Sequence, residues 1–212
     1  MEINRDIYLN RLITRKQNGF IKVITGIRRC GKSYLLNKIF YNYLLSEGVD
    51  KNHIIRFAFD SADDLLLIDE DILDISEQNR KVDPRKFMKY LAGKIVDDEM
   101  YYLLLDEVQL LGNFEAVLNG YMRKDNLDIY VTGSNSKFLS SDILTEFEGR
   151  GDEIHVLPLS FSEFYSVYEG TKEEAFDDFM VYGGLPAIAS MQTDEQKANY
   201  LITQMKNVYI KD

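Results

Sequence analysis

A glycine-bounded loop between a short apolar run and a helical segment constrains this chain more than any other feature. The stretch GIRRCGKS runs from Gly26 to Ser33 and fits the pattern G-x-x-x-x-G-K-[ST]. The β-rich run FIKVIT (20–25) precedes it, and a helix is predicted to begin near Lys32. Gly26 and Gly31 permit backbone angles that turn successive N–H groups inward, and the helix adds the positive end of its dipole. The pattern therefore predicts a phosphate-binding loop.

Two side chains of this loop have predicted chemical roles. Lys32 is expected to reach the β- and γ-phosphates of a nucleotide, and Ser33 to offer its hydroxyl to Mg²⁺. Arg28 and Arg29 either face solvent or add charge near phosphate or a neighbouring subunit. Cys30, close to an anion-binding helix terminus, is either a redox-sensitive thiol or a packed small residue. The predicted nucleotide-binding residues of the loop are Gly26, Ile27, Arg28, Arg29, Cys30, Gly31, Lys32, Ser33 and Tyr34.

Two carboxylates follow the apolar run YYLLLDE (101–107), which is typical of a strand buried on both faces of a sheet. Asp106 is predicted to hold the Mg²⁺ shell, and Glu107 to orient and activate an attacking water. Neighbouring carboxylates at a buried strand end are costly unless a metal and a reaction use them, the alternative being an exposed acidic strand end. Gln109 either senses the γ-phosphate or caps the next helix.

The order of elements predicts an α/β core. Strand candidates alternate with helix candidates, which indicates βαβ units and a mostly parallel sheet. The strand candidates are 20–25, 53–59, 100–107, 127–134 and 153–159, and the main helix candidates are 5–17, 32–48, 84–98, 113–124 and 136–148. From Ser160 onward every candidate element is helical. We therefore expect a core over 1–159 and a small helical appendage over 160–212, cut from a longer protein.

Composition and charge limit the classes of partner that we expect for this 212-residue chain. The net charge of −10 argues against strong nucleic-acid binding by these residues, since such binding draws on a basic face. The run 60–77 carries eight carboxylates and no base, and is either a solvated face or a docking surface for a basic partner. One cysteine and two distant histidines make a protein-only metal site improbable. Without a membrane-length apolar run or a secretory start, we expect a cytoplasmic protein with no membrane partner.

Five motifs together resemble a known family. They are similar to motifs of prokaryotic P-loop ATPases of the AAA+/STAND-like branch, which commonly carry a further C-terminal domain. The five motifs are GIRRCGKS, LLLDEVQ, VTGSNS, EGRGDEIHVLPLSFSEF and YGGLP. The resemblance spans essentially the whole chain; the first two motifs are common to many NTPases, whereas PLSF with GGLP is more particular. It implies a P-loop NTPase fold with a five-stranded sheet of order 5-1-4-3-2, flanked by helices and covered by a small helical lid, with ATP and Mg²⁺ as ligands.

The resemblance also implies roles for single residues. Ser134, or alternatively Asn135, is implied as a polar sensor of the γ-phosphate or lytic water, although a serine there also suits a helix N-cap. Arg150 matches the place of an arginine finger, which implies a homo-oligomer; a helix-terminal arginine is the ordinary alternative. Pro186 resembles the lid proline that packs near adenine. Residues 160–212 contain no arginine, so a lid-borne sensor arginine is absent or lies beyond the end.

These residues favour Mg²⁺-dependent ATP hydrolysis coupled to a conformational change or assembly. A small-molecule kinase is less favoured, because the Asp-Glu pair suits water and no arginine-rich acceptor lid is present. A GTPase is disfavoured by the lack of an N-K-x-D motif. A binding module gated by nucleotide, with Glu107 nearly idle, is the alternative from another class. Nucleic acid remains a weakly supported family-level partner.

Overall fold

The computed structural model describes residues 3–77, 80–133, 147 and 149–206. Five parallel strands form one sheet in the order β2-β3-β4-β1-β5. The strands are β1 (Ile21–Thr25), β2 (Ile54–Ala58), β3 (Tyr101–Asp106), β4 (Leu127–Thr132) and β5 (Gly151–His155). Read from the opposite edge, this order is 5-1-4-3-2, which confirms the predicted fold.

Helices surround the sheet. Those of the core are α1 (Asp6–Ile13), α2 (Lys32–Tyr34, continued by a π-helical stretch Leu35–Phe40 and by Tyr41–Ser46), α3 (Ala62–Leu66), α4 (Ile72–Glu77), α5 (Pro84–Lys94) and α6 (Phe114–Tyr121). Those after the sheet are α7 (Phe161–Tyr165), α8 (Lys172–Tyr182) and α9 (Asp194–Gln204). Within the described ranges, no helix has the length and apolarity that crossing a membrane requires. The acidic run 60–77 thus contains two short helices, α3 and α4.

The sheet is covered on both faces. Alternate residues of β3 enter different apolar clusters, Leu103 and Leu105 one and Leu104 the other. Every residue of β3 is buried, as its apolar sequence predicts. Because the strands are parallel, their carboxyl ends meet at one edge of the sheet. The register pairs Leu105 with Val131, so the next residues, Asp106 and Thr132, lie side by side at that edge.

The fifth strand lies two residues earlier than predicted at its start and four residues earlier at its end. Its ladder begins early because the N–H of Ile21 donates to the carbonyl of Arg150, 2.9 Å away. It ends early because β1, the strand that it pairs with, turns into the glycine loop after Thr25. A last hydrogen bond runs from the N–H of Val156 to Thr25, at 2.8 Å. The predicted helix 136–148 lies almost entirely outside the described residues.

The C-terminal helical segment, residues 160–206, packs around an apolar cluster that includes Phe164, Ala175 and Ile188, together with Ile3 and Leu159 from outside the segment. Each of its three helices begins at a Ser or Thr that forms a reciprocal capping box with a Glu or Gln, which explains where α7, α8 and α9 start. Its attachment to the core includes a hydrogen bond from the N–H of Leu159 to the carbonyl of Gly184, at 2.7 Å. The segment therefore packs as a helical unit beside the carboxyl edge of β1 and β5.

Candidate active site

The glycine loop joins β1 directly to α2. Gly26 has φ 141° and Gly31 has φ 101°, both in the region that side chains disfavour. A Cβ on Gly26 would lie only 2.2 Å from the carbonyl oxygen of Val156. The two glycines are therefore required by backbone angle at both positions and by close packing at the first.

Lys32 lies inside this loop. Its side chain is only 5% exposed, and its ammonium donates hydrogen bonds to the carbonyls of Gly26, at 2.9 Å, and Ile27, at 3.1 Å. A nearly buried cation is stable only where such acceptors or an anion compensate its lost hydration. The loop thus holds a positive charge at the point where the sequence predicts phosphate.

The carboxylate of Asp106 is the centre of a polar cluster. Its Oδ1 accepts hydrogen bonds from the hydroxyls of Ser33, at 3.1 Å, and Thr132. Its Oδ2 accepts a hydrogen bond from the amide of Asn37, also at 3.1 Å. Burial raises the pKa of Asp106, and nearby Glu107 adds to the shift, whereas the hydroxyl donors oppose it. The cluster therefore joins α2, β3 and β4 through one buried acid.

Glu107 follows with a left-handed backbone, φ 52° and ψ 45°. Its N–H donates to the hydroxyl of Thr132, at 3.1 Å, and its carboxylate accepts a hydrogen bond from the amide of Gln109. Non-glycine residues in this conformation cost energy and concentrate at functional sites. Gln109 therefore contacts the carboxylate of Glu107, and it is not the N-cap of the next α-helix, α6. Its carbonyl accepts a further hydrogen bond from the ammonium of Lys81, at 2.6 Å.

A mostly apolar cavity of about 290 Å³ lies beside the loop. Its lining residues are Ile3, Arg5, Gly31, Tyr34, Leu159, Pro186 and Ala187. A Cβ on Gly31 would lie 3.9 Å from Cγ of Pro186, so the C-terminal helical segment reaches the loop at this point. The structure thus brings two of the predicted nucleotide-binding side chains, Tyr34 and Pro186, to one cavity next to the predicted phosphate site.

Three of the four variable residues of the loop lie in two different environments. Arg28 and Arg29 are exposed, and the guanidinium of Arg29 lies 5.8 Å from the ring centre of Tyr200. Cys30 is fully buried, with its Sγ 3.3 Å from the carbonyl oxygen of Val156. Burial raises the pKa of the Cys30 thiol, and the nearby cations only partly oppose this. The geometry therefore favours the packed alternative over a reactive thiolate.

Among the predicted sensor and arginine-finger residues, the structure describes Arg150 alone. Arg150 is exposed and precedes β5. Ser134 and Asn135 lie outside the described residues, so their sensor role stays a prediction.

The sequence patterns missed three residues that the structure places around the site. Asn37 follows Ser33 by four positions, a spacing that puts both on one face of a helix and that signals a shared partner. Thr132 is the last residue of β4, and the parallel pairing with β3 explains its place. Arg5 has no local signal, because its hydrogen-bond and ion-pair partners lie far away in sequence.

The donor set fits a magnesium ion that arrives with a nucleotide. Ser33 and Asp106 offer a hydroxyl and a carboxylate, the hard oxygen ligands that Mg²⁺ prefers. Over the described part of the chain, no group of three or more His, Cys, Asp or Glu side chains is placed to hold a metal. Phosphate and water oxygens would therefore complete the shell, as is usual for this ion.

A parallel sheet of this order, with a glycine loop after β1 and a buried acid ending the strand two places away, defines the P-loop NTPase fold. A family model described as an AAA domain matches residues 18–165. The chain belongs to this family, which confirms the resemblance in its motifs.

The chain is also similar to two longer proteins. The chain is 32% identical over 192 residues to an uncharacterized protein of Haemophilus influenzae, covering 88% of this chain and 44% of that protein. It is 29% identical over 226 residues to an uncharacterized protein of Methanocaldococcus jannaschii, covering 99% of this chain and again 44% of the relative. The chain therefore spans less than half the length of both relatives.

A solved structure shows the same fold. A Walker-type ATPase of Pyrococcus abyssi superimposes with a TM-score of 0.65 at 16% identity, covering 99% of this chain and 74% of that one. The superposition includes the C-terminal helical segment, since almost the whole chain is covered.

Proposed function

We propose that this chain is a Mg²⁺-dependent ATPase whose nucleotide state is coupled to a conformational change or to assembly. The observation that carries the proposal is the meeting of Lys32, Ser33, Asp106 and Glu107 at the carboxyl edge of the sheet, around a loop built on glycines. Lys32 and Ser33 begin α2, whereas Asp106 ends β3 and Glu107 follows it. The hydrogen bond from Ser33 to Asp106, at 3.1 Å, joins the two elements.

The division of work follows from charge and position. The ammonium of Lys32 and the loop amides offset phosphate charge, while Ser33 and Asp106 hold the metal. Bound Mg²⁺ would supply electrostatic stabilisation of the charge that develops on the phosphate oxygens. Glu107 orients a water and accepts its proton. Asn37 and Thr132 act through Asp106 and hold its carboxylate in one orientation.

The apolar cavity completes the site, because it can hold the adenine ring of the nucleotide. A flat heterocycle needs apolar walls with few polar groups, and Tyr34 and Pro186 supply such walls beside Gly31. The volume lies near the lower end of the usual range for ligand pockets, about 300 Å³. Arg150 is proposed to act on the site of a neighbouring copy, and Ser134 or Asn135 to sense the γ-phosphate.

One observation favours a second candidate, a nucleotide-gated binding module with little turnover. The carboxylate of Glu107 accepts a hydrogen bond from the amide of Gln109, so this oxygen must give up that partner before it can hold a water. In this alternative, ATP binds as a structural ligand and hydrolysis is slow.

The test is to measure Mg·ATP binding and phosphate release in the same preparations. We expect the unmodified chain to bind and hydrolyse, Lys32→Ala to lose binding, and Glu107→Gln to bind without hydrolysis. Glu99→Gln is the matched control, since Glu99 is exposed and precedes the opposite end of β3. Nucleotide binding without phosphate release in the unmodified chain would favour the gated module. Full turnover in Glu107→Gln would exclude Glu107 as the general base.

A further inference from the structure

Arg5 is a buried cation that joins separate parts of the molecule. It is 3% exposed, and its Nη2 donates to the carbonyl of Leu157, at 2.6 Å. Its Nη1 donates to the carbonyl of Cys30, at 3.5 Å, and its Nε lies 3.2 Å from Oε1 of Glu163. The guanidinium also lies 4.6 Å from the ring centre of Tyr8. One side chain thus contacts the phosphate loop, the end of the core and the first helix after it.

The partner carboxylate is itself fixed in place. The second oxygen of Glu163 accepts hydrogen bonds from the N–H of Ser160, at 2.8 Å, and from the Ser160 hydroxyl, at 3.0 Å. These bonds form the capping box that starts α7. A displacement of the Arg5 guanidinium would therefore act on the beginning of the C-terminal helical segment rather than on a mobile surface acid.

The other contact of Arg5 lies inside the glycine loop. Cys30 is next to Gly31, and Lys32 follows, so the carbonyl that Arg5 contacts belongs to the stretch that would surround phosphate. Arg5 also lines the cavity beside Pro186. No arginine is available in residues 160–212 to reach back toward this loop. The charge pair across this boundary instead has its arginine on the core and its carboxylate on the helical segment.

We propose that Arg5 is a positioning residue that transmits occupancy of the phosphate loop to the C-terminal helical segment through Glu163. This inference rests on the proposed nucleotide binding, but not on hydrolysis. A change in the loop at Cys30 shifts the guanidinium, and the pair with Glu163 carries that shift to α7 and to Pro186. Coupling of this kind between two parts of a protein typically changes affinity by about 5-fold to 150-fold.

The test is hydrogen–deuterium exchange of residues 160–190 in the full chain, with and without the nonhydrolysable analogue AMP-PNP. In the unmodified chain we expect the analogue to slow exchange in α7 and around Pro186. In Arg5→Lys the analogue should bind about fivefold more weakly, as the cost of lost coupling, and should no longer slow exchange in α7. Glu163→Gln keeps an oxygen for the capping box and removes the charge, so it should uncouple α7 even if Arg5→Lys folds poorly.

Controls separate this role from a purely structural one. Arg15→Lys alters a similar pair, Arg15 with Asp152 at 2.9 Å, on the surface and should leave the exchange response unchanged. Tripolyphosphate, which has no base, should also slow exchange in α7, because the proposed route begins at the loop. If AMP-PNP slows exchange in α7 and tripolyphosphate does not, the proposed route from the loop is wrong, and the response starts from the nucleobase in the cavity.

Two further outcomes separate a failure of the coupling proposal from a failure of the proposed function. If Arg5→Lys and Glu163→Gln lower stability but keep the full exchange response, Arg5 only holds the fold together and the coupling proposal is wrong. If the unmodified chain binds no nucleotide, the proposed function fails and the coupling fails with it.

Discussion

The hydroxyl of Thr132 donates a hydrogen bond to Asp106 and accepts one from the N–H of Glu107. Thr132 is fully buried at the end of β4, while Asp106 ends the neighbouring strand β3 and Glu107 follows it. Thr132 therefore fixes both the carboxylate of Asp106, which is proposed to hold the metal, and the backbone of Glu107, the proposed general base. This relationship places the sheet register at the centre of the proposed chemistry.

Thr132→Val tests that relationship. Valine has nearly the same shape but no hydroxyl, so the N–H of Glu107 and a lone pair of Asp106 lose their partner. We expect the free energy of unfolding to fall by about 1–3 kcal/mol. We also expect phosphate release to fall by about tenfold, equivalent to roughly 1.4 kcal/mol in the barrier. Thr132→Ser keeps the hydroxyl and should recover most of the rate; equal rates for the two variants would refute the role.

Asp106→Asn should stabilise the nucleotide-free protein while removing Mg²⁺-dependent turnover. Burial raises the pKa of Asp106, so the folded chain holds the proton at a higher pH than the unfolded chain does. The stability that this protonation contributes is present at low pH and is lost as the pH rises through the raised pKa. Asparagine is neutral throughout and avoids that loss.

The stability gain should therefore be largest near neutral pH and should shrink as the pH falls toward about 4, the ordinary range of a carboxyl. Chemical denaturation of both proteins at several pH values measures it. Asp125→Asn, at an exposed position, is the control. A gain that grows on acidification would contradict the sign of the shift.

A pair of glycine substitutions tests the loop geometry. Gly26→Ala places a methyl group 2.2 Å from the oxygen of Val156 at φ 141°, and we expect strain of about 1–3 kcal/mol before the clash is counted. Gly93→Ala, in α5 with open space around it, should instead raise the free energy of unfolding by about 0.5–1 kcal/mol. Thermal unfolding measures both, and a harmless Gly26→Ala would refute the tight approach of the loop to Val156.

A mixing experiment tests Arg150 as a residue that acts on a neighbouring copy. Glu107→Gln and Arg150→Ala should each be inactive alone. Mixed, they should recover phosphate release, because a site with an intact Glu107 would meet an intact Arg150 from the other variant. The activity per chain of the unmodified protein should also rise with its concentration. An inactive mixture, together with activity that does not depend on concentration, would refute a shared site.

Much of the fold and part of the site followed from local sequence. The glycine spacing of 26–33 predicted a loop whose two glycines allow backbone angles that other residues disfavour, and in the structure both have positive φ. The apolar run 101–107 predicted a strand buried on both faces, and the alternation of elements predicted a parallel sheet. The early end of β5 was not predicted, since it is decided by where its partner β1 turns away.

The sequence by itself thus determined the P-loop class, the strand order through the family resemblance, and the identity of Lys32, Ser33, Asp106 and Glu107 as the candidate residues. These signals are local: they depend on backbone angles, hydrophobic period and motif spacing. Only the tertiary structure decided which side chains support them. Arg5 and Leu157 are 152 residues apart in sequence, and Asn37 meets Asp106 across 69. Such contacts arise from the packing of parallel strands and of the C-terminal helices, and no local pattern identifies both partners.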